Sequence, residues 1–153
     1  MKKPIEEWAA LDHLYDCRDK LREYVDLSDK RDMIKASLLP RAIRYTQDKI
    51  QTTPEDYFTK TMAKVADMDT HIDEQRAEVR RARMVAEDII DGVRGAKCRL
   101  ILFEYFTETN LNKNGRASLN TWGSIAARHG WSVASVSRNF YRAIDRLTNV
   151  TKK

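Results

Sequence analysis

The stretch TWGSIAARHGWSVASVSRNFYRAIDRL, residues 121–147, decides the fold of this chain. Thr121 precedes a short apolar run and predicts the cap of a helix in which Trp122, Ile125 and Ala126 share one face. Gly130 supplies the left-handed backbone that ends such a helix. Ser132 then caps a second helix, whose apolar stripe is Val133, Val136, Phe140, Ala143, Ile144 and Leu147. Two helices joined by a glycine turn make a helix-turn-helix. The opposite face of the second helix carries Ala134, Arg138, Tyr141 and Arg142, flanked by Ser135 and Ser137. A small, polar and cationic surface of this kind suits the major groove of duplex DNA.

The charge distribution points the same way. Residues 95–153 hold ten Lys or Arg against three acids, a balance of +7. The whole chain has 28 basic and 23 acidic residues, so residues 1–94 keep 18 against 20, or −2. The excess positive charge therefore lies around the motif, as a surface that displaces counterions from phosphates requires.

Upstream of the motif, CRLILFEYF (98–106) is apolar nearly all round and predicts the central helix of a small domain. TETNLNKNGRASLN (107–120) separates it from the motif and reads as an exposed loop. Lys113 and Arg116 in this loop are candidate phosphate contacts, against the plainer reading of a solvated basic loop. Gly92 and Gly95 bracket Arg94 and mark the boundary with what comes before.

From Pro54 a long helix is expected, with Glu55 and Asp56 at its positive end. Val65, Ile72, Val79, Ala86 and Val93 recur every seven residues, and Met68, Ala82 and Ile89 fill a second row. Nearer the N-terminus, Leu11, Leu14, Leu21 and Val25 form a similar seam that Arg18 interrupts. This first helix is expected to end before Pro40, leaving a connector near 37–55. The two seams can pair within one chain as an antiparallel hairpin or zip two chains together.

The expected architecture is therefore all-α: a long, coiled-coil-like helical hairpin over 1–94 and a helix-turn-helix domain over 95–153. No run of eighteen apolar residues is present, and acids stand where a signal peptide needs its apolar stretch, so a soluble cytoplasmic protein without membrane contact is expected. Cys17 and Cys98 lack CxxC spacing, which suits a reducing compartment. His13, His71 and His129 fall in no metal or catalytic spacing, and Asp67, Asp69, His71 and Asp73 alternate around a helix rather than converge. Five glycines include neither a Walker loop nor GxGxxG. No enzyme, cofactor or metal is indicated.

The segments DKIQTTP (48–54), MAKVADMDTHIDE (62–74), the apolar helix 98–106 and the stretch 121–147 together resemble small phage transcriptional regulators of the ArpU/RinA type. That family joins a helical N-terminal region to a domain similar to region four of sigma factors. The resemblance implies activation of late phage genes at promoters in the bacterial host, with RNA polymerase as a second partner. Gly123 and Ser124 stand where such domains carry acids, which predicts a weakened first helix in the motif.

On this reading Arg138 contacts a base, most simply a guanine edge, with Ser135, Ser137 and Arg142 assisting on the face that includes Ala134 and Tyr141. Arg128 and Arg146 lie nearer phosphates. Two alternatives stand beside it. One is a packaging factor resembling a small terminase, in which hairpins assemble into a ring. The other is a helical protein that binds a host protein without DNA.

Overall fold

The computed structural model describes residues 9–47, 54–111 and 116–151, and side chains over 9–37, 56–111 and 116–148. Among these residues there are five helices and one small sheet: α1 (Ala10–Gln47), α2 (Pro54–Asp91), α3 (Ala96–Thr107), β1 (Thr109–Leu111), β2 (Ala117–Leu119), α4 (Trp122–His129) and α5 (Val133–Thr151). The fold is all-α, with a long hairpin of α1 and α2 packed together.

Two boundaries differ from the sequence expectation. Helix α1 runs through Pro40 to Gln47. A proline removes one backbone donor from the ladder and does not by itself end a helix. The connector accordingly shrinks to residues 48–53, which lie outside the described residues. The stretch expected to be a loop contains an antiparallel hairpin, with Thr109 opposite Leu119, Asn110 opposite Ser118 and Leu111 opposite Ala117. Its polar composition hid the pairing, because three-residue strands carry too short an alternation to stand out from a loop.

The chain forms two compact units, 23–77 and the combination of 1–22 with 78–153. In the first, Val25, Val65 and Ile72 are buried as the heptad spacing predicts. Arg31 donates to Asp69 at 3.0 Å and Arg76 to the Tyr24 hydroxyl at 3.3 Å, so the two helices run antiparallel. In the second, Leu14 and Cys17 of α1 and Ala82, Ala86 and Ile90 of α2 join one core with Ile101, Leu102, Phe106, Ile125, Val136, Phe140 and Leu147. The base of the hairpin thus completes the core of the helix-turn-helix, and the glycine break at 92–95 lies inside this unit.

At that break α2 stops and α3 starts within five residues. Gly95 has φ 97°, a backbone conformation that calls for glycine, and a Cβ there would only push aside the Arg146 guanidinium, whose Nη1 lies 2.8 Å away. Two carbonyls of the break itself are satisfied by arginines. Arg99 donates to Val93 O at 3.0 Å and Arg146 donates to Arg94 O.

Candidate nucleic-acid interface

The helix-turn-helix forms as the local sequence dictates. The Ser124 N–H donates to Thr121 Oγ1 at 3.2 Å while the Thr121 N–H donates to Ser124 Oγ at 2.9 Å, a reciprocal capping box. Ser124 thus fills the role an acid would otherwise take, so α4 is not weakly capped. Gly130 ends α4 with φ 69° and ψ 26°, its N–H donating to Ala126 O. Ser132 Oγ accepts from the Ser135 N–H at 3.1 Å and starts α5.

On α5, Val136, Phe140, Ala143 and Leu147 are buried and Ile144 is partly so. Val133 departs from the predicted stripe, being 51% exposed. It lies in the first turn, where the core has not yet closed over the helix. Trp122 and Trp131 pack against the core. Trp122 sits 5.3 Å from the Phe140 ring, and Trp131 stacks on His129 at 4.4 Å.

The predicted DNA-contacting residues divide into two groups. Arg138, Arg142 and Ala134 are exposed on α5, and neither arginine enters a hydrogen bond or ion pair among the described residues. Ser137 is half-buried beside them. Tyr141 is 56% exposed and lies edge-on to Trp122 at 5.6 Å. Arg116 is exposed near the start of β2, and Lys113 lies outside the described residues.

The other group is engaged within the protein. Ser135 Oγ accepts from Lys97 Nζ at 3.0 Å, and Asn139 Nδ2 donates to Ser135 O at 2.8 Å. Arg128 donates to Glu104 Oε1 at 3.0 Å and to Asn110 Oδ1 at 3.1 Å. Arg146 spans the glycine break, as described above. Spacing alone could not separate these residues from Arg138, because Lys97, Glu104, Asn110 and Arg94 lie 18–52 positions from the residues they engage.

Sequence reasoning also missed a buried polar knot that fixes the motif in place. Asn120 is fully buried, donating to Glu104 O at 2.9 Å and Glu108 O at 3.3 Å. Its Oδ1 accepts from Ser124 Oγ at 3.2 Å and Arg128 Nη2 at 3.3 Å. One side chain thereby caps the end of α3 and anchors the start of α4. The Glu104 carboxylate completes the knot between Arg128 and His129. The only sequence signal was the lone acid, Glu104, in the largely apolar segment CRLILFEYF.

Comparison with protein-family models, with curated proteins and with solved structures gives no match for this chain. Among the described residues, no helix is long and apolar enough to cross a membrane.

Proposed function

We propose that this protein binds duplex DNA through the exposed face of α5 and acts as a phage transcriptional regulator at late promoters. The observation that carries the reading is the division of arginines. Arg128 and Arg146 are engaged by internal acceptors, whereas Arg138 and Arg142 stand one turn apart on the exposed side of α5 without internal partners among the described residues. Holding two cations in solvent beside Ala134 contributes nothing to packing, and guanidinium groups pair bidentately with guanine edges and phosphates. The assignment of late promoters and host RNA polymerase rests on the sequence resemblance.

Selection of bound fragments from a phage genome, followed by anisotropy titrations on the enriched duplex, tests the proposal. Enrichment of promoter fragments is expected, with affinity falling steeply as salt rises. Absence of enrichment together with a flat salt dependence overturns it. Enrichment confined to packaging sites would retain DNA binding and overturn the regulatory assignment.

A further inference from the structure

Beside the motif lies an open cleft of about 420 Å³ lined by Arg18, Tyr105, Thr121, Trp122, Gly123 and Val133. Three features single it out. Arg18 is only 8% exposed and has no carboxylate partner among the described residues. Its Nη1 donates to Tyr105 O at 2.5 Å, and its guanidinium lies 3.8 Å from the Tyr105 ring centroid. These contacts hold the cation in place without neutralising it, and burial pushes its pKa down. The Trp122 indole N–H is buried without an acceptor, the single such side-chain atom among the described residues. The cleft also opens at the start of α4, whose dipole and first-turn N–H groups favour negative charge.

A buried cation, an orphan donor and a helix start share one electrostatic preference, for an anionic acceptor. The walls supplied by Tyr105, Trp122 and Val133 are otherwise apolar, and Val133 and Tyr141 extend apolar surface beyond the cleft. A bare inorganic anion would leave those walls wet. We propose that the cleft docks a segment of a partner protein, an acidic side chain flanked by apolar ones, its carboxylate meeting Arg18 and the Trp122 indole N–H. Arg18 and Trp122, which meet the carboxylate, are not among the residues assigned to DNA, and the proposal does not rest on DNA binding.

The test uses the full chain labelled with ¹⁵N and follows the indole N–H signal of Trp122, assigned with Trp122→Phe. Trp8 and Trp131 serve as internal references. The probes are the capped tripeptide Leu-Glu-Leu and its uncharged isostere Leu-Gln-Leu. The Glu peptide is expected to shift the Trp122 signal saturably, with a Kd on the order of 1 mM, and the Gln peptide at least about tenfold more weakly. Arg18→Met keeps the stem and removes the charge, and should abolish the difference between the peptides.

Gly123→Leu places a side chain in the cleft, where a Cβ meets only Thr121 Oγ1, at 3.7 Å, and should prevent binding with the fold intact. If Arg18→Met disturbs folding, seen as movement of the Trp131 signal, Arg18→Lys and Gly123→Leu carry the test. The proposal is overturned if neither peptide shifts Trp122 or if both do so equally. It is also overturned if isovalerate binds as tightly as Leu-Glu-Leu, which makes the occupant a free acid. Weakened DNA binding by Arg18→Met with no effect on the peptide makes the anion a phosphate and likewise overturns it.

Discussion

His129 Nε2 lies 2.9 Å from both oxygens of Glu104, a carboxylate whose side chain is 8% exposed. An ionised carboxylate only accepts, so this geometry suits an imidazole that donates from Nε2. The contact ties the last residue of α4 to the middle of α3, just ahead of the Gly130 turn. Arg128 binds the same carboxylate from the preceding position. An acid on a different helix therefore anchors the end of α4 just ahead of the turn into α5.

Glu104→Gln should keep the shape of this site while removing the charge that two neighbours share. Breaking a buried pair costs about 3–5 kcal/mol. A loss of about 2–3 kcal/mol is expected here, because the Arg128 side chain is 33% exposed and recovers hydration. Urea unfolding of the variant against the wild type measures it, and a change within experimental error would show that the knot does not constrain the motif.

Asn120→Ala removes a fully buried group with four hydrogen bonds and leaves the carbonyls of Glu104 and Glu108 without this donor. The cost should be about 2–4 kcal/mol, larger than for an isolated hydrogen bond because several acceptors and donors are stranded together. Asn120→Asp should be no milder, since it loses the donating amide. Thermal unfolding of both variants checks the order.

Arg138→Ala and Arg146→Met separate binding from folding. Arg138→Ala should leave stability within about 0.5 kcal/mol. It should weaken binding to the preferred duplex by about 1–3 kcal/mol. Arg146→Met leaves the Arg94 carbonyl of the glycine break without this donor and should cost about 0.5–1.5 kcal/mol of stability. Paired melting and anisotropy measurements decide it, and equal effects of the two variants on both quantities would contradict the division of roles.

Alkaline pH should reveal the base of the hairpin. Burial pushes the Cys17 thiol up from 9.0 to about 11, and burial also raises the Tyr15 hydroxyl. The folded protein keeps the thiol neutral while the unfolded chain releases its proton at lower pH. The resulting stability is complete below about pH 9 and is lost as pH rises toward 11. Cys17→Ala should flatten the decline in Tm across that window, and a thiol reagent at neutral pH should label Cys17 only after denaturation. Rapid labelling of the native protein would place this thiol outside the core.

The local features of the fold were legible in residues 121–147 and in the seams of the long helices. Capping by Thr121 and Ser132, the left-handed turn at Gly130 and the buried stripe from Val136 to Leu147 follow from side-chain chemistry within a few positions. Val65, Ile72 and Ala86 are buried as their seven-residue spacing requires. The exposure of Arg138 and Arg142 belongs with these, because helical period alone turns them away from the stripe.

Tertiary structure decided what depends on partners distant in sequence. Arg18, an interruption in a heptad seam, lies over Tyr105, 87 positions away, and becomes a buried cation beside a cleft. Arg128 and Arg146, indistinguishable from Arg138 by composition, meet an acid and a carbonyl and become parts of the scaffold. Asn120, apparently a loop residue, becomes the most deeply bonded polar group of the motif. The physical reason is common to all four. Periodicity specifies which way a side chain points, whereas its charge and donors acquire a role only from the acceptors that folding brings within about 3 Å.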